Sequence, residues 1–380
     1  MLMIAHQCLA SENERNDTVS PTESVKGNVF SSVIDYFRTS NVPRDDGRFD
    51  ISFIGGPHYS SDSGLGVGIV ASGVYGMPVT DSLRNRRMQS EVSLYFDITT
   101  NGFIVVGVRG MQMFHNDRSR LNYDVFFTHN PRRFWGIGYE MARDNDNYTK
   151  YTRLSFSADL EYLYRIGGDF FIGPTVDINW AGARKVTEPW RWDGQELAVA
   201  NFGPGLAVSL DTRDNTTAPS KGVHVALSQK FFPKFLGNKR GAFMMTRAFT
   251  SVYTPMWRGS VLALRLHCAL TYGGDVPWTM LPTFGGSQSM RGYYEGQYSD
   301  RMETDATVEI RQHVWHRSGI VLWAGMGSVF PKFTAFKWER VLPNGGIGYR
   351  WEFKKNSNVR IDLGFGKGQM GFIFNINEAF

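Results

Sequence analysis

Asp211 to Asp214 (DTRD) sets two carboxylates three residues apart, the one stretch that invites a calcium reading. An EF-hand loop needs alternating oxygen donors, a glycine at its sixth position and a distal glutamate, and this stretch lacks that series. Asp211, Arg213 and Asp214 instead suit a turn whose charged side chains cap its own backbone. Gly64, Gly66 and Gly68 give G-x-G-x-G, but no helical pattern follows to offer its N-terminus to a phosphate. The eight histidines are scattered without ligand spacing, so no metal and no cofactor is expected. Cys8 and Cys268 are too few and too far apart for a disulfide framework. There is no G-x-S-x-G, and no Ser/His/Asp set falls together on one rim of the strand pattern derived below. The net charge of +5 is spread along the chain, without the basic cluster of a nucleic-acid surface. These charges read as a solvated wall.

The elements that carry them alternate with period two. In 151–165, Leu154, Phe156, Ala158, Leu160, Tyr162 and Tyr164 share one face and Arg153, Ser155, Ser157, Asp159 and Glu161 the other. In 261–272, Leu262, Leu264, Leu266, Cys268 and Leu270 oppose Ala263, Arg265, His267 and Thr271. Long strands with one apolar and one charged face favour lipid outside and water inside. Glycine, at 41 residues, exceeds its usual share of about 7%, which suits curved strands. No run of 18 apolar residues exists to span a bilayer as a helix. The pattern predicts an all-β fold, a transmembrane antiparallel β-barrel of about 16 strands. Predicted strands begin at 64–76, 89–100, 102–115, 119–128 and 133–142, and the last is 370–380. Short turns, among them His129–Arg132 and His316–Arg317, fall on one rim. The other rim takes 77–88, 183–196, 276–302 and 331–342 as long loops. Ahead of a barrel at 49–380, residues 1–10 read as the tail of a signal peptide. Residues 11–48 read as a flexible lead-in, with a short amphipathic helix at 28–38.

Three stretches then resemble the BamA/TamA superfamily of outer-membrane assembly and secretion barrels. GGSQSMRGYYEG (285–296) resembles its lid-loop motif, carried here by Gly285, Gly286, Arg291, Gly292 and Tyr293. GPGLAVSLDTRDNTTAPSKG (203–222) resembles its strand, periplasmic turn and Pro-x-x-Gly return, which places Asp211, Arg213 and Asp214 in that turn. PNGGIGYRWEF, VRIDLGFGKG and GFIFNINEAF resemble its closing strands, with Phe372, Phe374 and Phe380 as the C-terminal strand signal. The resemblance covers about 50–380 and is nearest to the POTRA-less barrels of Bacteroidetes-type bacteria. It implies a long lid loop folded into the lumen, with Arg291 paired to Glu309 on the inner wall. The family's second acidic partner is usually an aspartate on the next strand, where this chain has Gly325.

The resemblance also implies a place in the outer membrane of a Gram-negative bacterium, in contact with outer-membrane lipid. It implies periplasmic or outer-membrane partner proteins, and outer-membrane protein clients if the chain is an insertase. Family insertases carry POTRA domains before the barrel. Only 63 residues precede the first predicted strand, so clients are expected to come through partners. Three functions follow: an assembly device whose seam, between 64–76 and 370–380, opens sideways; a structural or secretion barrel; or a barrel enzyme, for which the sequence offers no motif.

Overall fold

The computed structural model describes residues 50–60, 64–81, 86–114, 117–238, 241–354 and 357–380. The expected signal-peptide tail (1–10), lead-in (11–48) and helix (28–38) lie outside the described residues. Sixteen strands follow in chain order: β1 (Asp50–Ser60), β2 (Gly64–Asp81), β3 (Arg86–Thr99), β4 (Ile104–Phe114), β5 (Ser119–Phe134), β6 (Thr149–Gly167), β7 (Phe170–Arg184) and β8 (Ala198–Asp211). The second half holds β9 (Gly222–Phe232), β10 (Phe243–Pro255), β11 (Ser260–Gly273), β12 (Met302–Trp315), β13 (Ser318–Phe330), β14 (Leu342–Lys354), β15 (Ser357–Gly366) and β16 (Gln369–Ile376). Each pairs antiparallel with its sequence neighbours in one up-and-down sheet. The sheet curls far enough for the β5–β6 loop to meet the β15–β16 turn, where Asn145 Nδ2 donates to Gly368 O at 3.1 Å. The fold is an antiparallel transmembrane β-barrel.

The two faces of each strand separate as the alternation predicts. Leu94, Phe96, Ile98, Leu264, Leu266, Ile320 and Leu322 are exposed on the outer wall, which is a liability in water and a requirement in lipid. Ala263, Arg265, Ala269 and Thr271 are buried on the inner side of β11. The lumen is not a hydrophobic core. Lys230 Nζ lies 2.5 Å from Asp159 and 3.4 Å from Asp177, and Arg120 Nη1 lies 2.9 Å from Asp211. Charges from separate strands thus neutralise one another across the interior.

The strands at the N-terminal end differ from expectation in two places that cancel in the count. β1 lies ahead of the predicted first strand. Its Gly55, Gly56 and Pro57 break the alternation, and a proline fits there because, among the described residues, β1 pairs with β2 alone. Conversely, the predicted strands 119–128 and 133–142 and the turn at His129–Arg132 are replaced by one strand, β5. The β4 ladder ends at Ile104↔His129, so Pro131 pairs only with Thr152 of β6, and its missing N–H removes no bond on the other side. One strand gained and one lost put the β2–β3 connection on the short-turn rim, not among the long loops as expected for 77–88. The long connections 135–148, 185–197, 274–301 and 331–341 all leave from the opposite rim.

Candidate functional site: the lid loop and the closing strands

The loop between β11 and β12 does not stand out into solvent. It folds inward, and its lower part reaches the barrel wall at Arg291. That side chain is 1% exposed and bridges two strands: Nη2 lies 2.5 Å from Glu309 Oε2 on β12, and Nη1 lies 2.7 Å from Asp362 Oδ2 on β15. Its guanidinium stacks over the Trp323 ring with the carbon 3.8 Å from the centroid. A planar fork with two donor edges and an aromatic face below uses every recognition mode that arginine has. The cluster continues outward, since Glu309 Oε1 also meets Arg311 at 2.7 Å and Asp362 Oδ1 meets Arg350 at 2.6 Å.

The second acidic partner is therefore Asp362, two strands beyond the position where Gly325 stands. Gly325 leaves its space to Asn344: a Cβ there would sit 2.4 Å from Asn344 Oδ1. Asn344 Nδ2 in turn donates to the Arg291 carbonyl at 3.2 Å. A neutral amide thus holds the loop backbone where the family pattern has a carboxylate.

Beside the arginine the loop backbone lies almost against β15. Gly292 has φ +116°, and a Cβ on it would lie 2.7 Å from the Gly364 carbonyl carbon. A Cβ on Gly364 would lie 2.4 Å from the Arg291 oxygen, so both positions require glycine. Tyr293 completes the attachment: its hydroxyl donates to Pro343 O at 2.7 Å and accepts from the Lys367 N–H at 2.9 Å. Gly285 and Gly286 stand opposite, where the Gly286 N–H donates to Tyr293 O at 3.4 Å.

Above this clamp, aromatic rings from the ends of β5 and β6 and from two long loops pack together. Phe134 stacks on Trp192 at 4.3 Å, and Trp278 meets both Tyr151 and Trp192 edge-on at 6.0 Å. Below it lies a polar cavity of about 790 Å³, lined by Arg120, Asp159, Asp177, Asp211, Arg213 and Arg247 among others.

At the short-turn rim Asp211 accepts from Arg213 at 2.9 Å and from Arg120. Asp214 Oδ1 accepts the Ser220 and Lys221 N–H groups at 2.9 and 3.1 Å, so its carboxylate closes the turn. Phe372 and Phe374 point outward from β16. Phe380 does not belong to a strand ending at 380: β16 stops at Ile376 and the chain turns inward. There Arg311 Nη2 donates to Phe380 O at 3.0 Å, and Glu378 meets Arg350 at 2.8 Å. Burial alone would raise the Glu378 carboxyl, but the neighbouring Arg311 and Arg350 hold it below the usual carboxylate range.

Sequence reasoning missed Asp362, Arg350, Asn344, Trp323 and Glu378. Parity held a signal for one of them: Asp362 alternates with the outward-facing Ile361 and Leu363 in VRIDLGFG, which puts its charge on the inner face.

The fold has solved counterparts. BamA from Haemophilus ducreyi lacking POTRA domains 1–3 is similar with a TM-score of 0.54 and 14% identity, over 87% of this chain and 69% of that one. CdiB from Escherichia coli is similar with a TM-score of 0.53 and 8% identity, over 88% of this chain and 62% of that one. CdiB from Acinetobacter baumannii has a TM-score of 0.50 and 10% identity, over 87% and 59%. This chain thus spans about three fifths of the CdiB chains. Among curated proteins no sequence matches. The Omp85 superfamily domain matches residues 110–366, more than half of the chain. A buried lid-loop arginine inside a barrel of this topology, together with that match, places the chain in the Omp85 superfamily of Gram-negative outer-membrane β-barrel proteins.

Proposed function

We propose that the chain is an assembly device for outer-membrane proteins, working through the seam between β1 and β16, and is not an enzyme. The observation that carries this reading is where the lid loop is fastened. Arg291, Gly292 and Tyr293 attach to β15 and to the turn before β16, next to the seam. Among the described residues no ladder of hydrogen bonds joins β1 to β16. An edge strand left unpaired is a template for another strand, and a loop that fixes the neighbouring strands can set how readily the edge is presented. The seam lies one strand earlier than the segment 64–76 suggested by the sequence.

The polar cavity favours a second reading, in which the lumen passes one cargo and the seam stays shut. Depletion of the chain in its own cell separates them. Loss of many unrelated outer-membrane barrels, measured by quantitative proteomics of that membrane, is the expected result for assembly. Unchanged barrels with one protein missing from the cell surface or medium would establish secretion instead. Either role draws on partner proteins in the periplasm or outer membrane, and affinity isolation in mild detergent would identify them.

A further inference from the structure

We propose that the inner wall beside the lid loop carries a metal site, with His267, Glu303 and Asp305 as ligands and a first-row divalent cation such as Zn²⁺ as its occupant. His267 on β11 is in register with Asp305 on β12, and Glu303 lies two residues from Asp305 on the same face. His267 Nδ1 is 2.9 Å from Glu303 Oε2 and 3.4 Å from Asp305 Oδ2. Two ligands each about 2.1 Å from one zinc ion stand roughly 3.0 Å apart at a right angle and roughly 3.4 Å apart at the tetrahedral angle. The separations are those of ligands around a common ion.

The same separations would describe imidazolium paired with two carboxylates, and the hydrogen-bond pattern distinguishes the two. His267 Nδ1 and both carboxylate oxygens of Glu303 are buried atoms with no hydrogen-bond partner. The imidazole therefore aims no N–H along a line to either carboxylate. Glu303 is 1% exposed, and a carboxylate sunk that deep, with no well-directed hydrogen bond and only the His267 ring at ion-pair distance, gains from a further positive charge. A cation held between one ligand atom of each residue would supply that charge and give His267 Nδ1 a partner.

Asp305 is oriented from outside the set, as ligating carboxylates are. Arg265 holds its Oδ1, and Ser289 Oγ of the lid loop donates to its Oδ2 at 2.9 Å. One imidazole with two carboxylates suits zinc, iron or manganese better than magnesium or calcium. The His267 side chain keeps 23% exposure and borders the polar cavity, which gives the ion an entry and water to complete its coordination. Histidine spacing gave no hint of the site, because one ligand comes from β11 and two from β12, with His267 lying 36 positions before Glu303 in the chain.

The test titrates Zn²⁺ into the untagged full chain, folded in detergent and stripped with a chelator, using calorimetry. Glu303→Gln and His267→Ala are titrated in parallel, with folding checked by heat-dependent migration on gels. One equivalent per chain is expected, weakened about tenfold or more in each variant. Failure of the wild-type chain to bind, or equal binding by folded variants, would overturn the proposal. X-ray absorption at the zinc edge of the loaded wild-type chain stands independent of how the variants fold. One imidazole among oxygen ligands is expected, and a shell containing sulfur or several imidazoles overturns the assignment.

Discussion

Arg291 is the residue on which the lid depends, because it serves two carboxylates on strands that are not neighbours. Removing it leaves Glu309 and Asp362 buried with fewer positive partners, and breaking such a pair costs about 3–5 kcal/mol. Arg291→Ala and Glu309→Ala should each lower stability to unfolding in detergent by about that amount. The double variant should lose much less than the sum, since residues of one ionic network couple. Additive losses in this cycle would mean that the loop is held by Gly292 and Tyr293 and that the charges are incidental. Of this cluster, Arg291 and Glu309 were legible in the sequence, the first through its motif and the second through its place on the polar face of TVEIRQH. Asp362 was not, because nothing local says that a loop arginine will span from β12 to β15. That distance is a property of barrel curvature. The displaced partner also explains Gly325, whose space Asn344 uses.

At the scale of elements, strand identity was legible wherever apolar and charged residues alternate, as in β6, β11 and β12. It failed where the ladder is one-sided. β1 carries Gly-Gly-Pro and the end of β5 carries Pro131, and a strand paired on a single flank tolerates both. Facing itself can be tested at β11. Cys268 shares parity with the exposed Leu264 and Leu266, so in a Cys8→Ser background a water-soluble maleimide should label it poorly in membranes and readily after unfolding. A charge at Leu266, as in Leu266→Arg, should destabilise the barrel by up to about 2–4 kcal/mol near the bilayer midplane. Rapid labelling of Cys268 in intact membranes would exchange lumen and lipid faces throughout the sheet. That exchange would leave Arg291, Glu309 and Asp362 without an interior to occupy.

For the molecule as a whole, the question is whether the sheet must part to work. Sequence alternation implied an even number of strands and a closing pair, but the identity of that pair depended on one strand that the pattern did not reveal. With β1 in place, the seam is β1 against β16, and β16 is short, ending at Ile376 before the chain turns into the lumen. Its neighbour β15 holds the lid loop through Asp362, so the proposed gate and the lid's anchor would share one strand pair. A cysteine in β1 and another facing it in β16, at a Cβ separation of about 3.5–4.5 Å, would lock the seam in a background free of Cys8 and Cys268. The oxidised protein should fold and migrate as a barrel. As the only copy in the cell, it should fail to sustain normal levels of other outer-membrane barrels until reductant is added. The lock spares the lumen, the lid and the outer wall, so failure would isolate the seam as the working part. Normal barrel levels with the lock confirmed by mass spectrometry would rule out lateral opening. The polar cavity beneath the aromatic cap would then be the route that function takes.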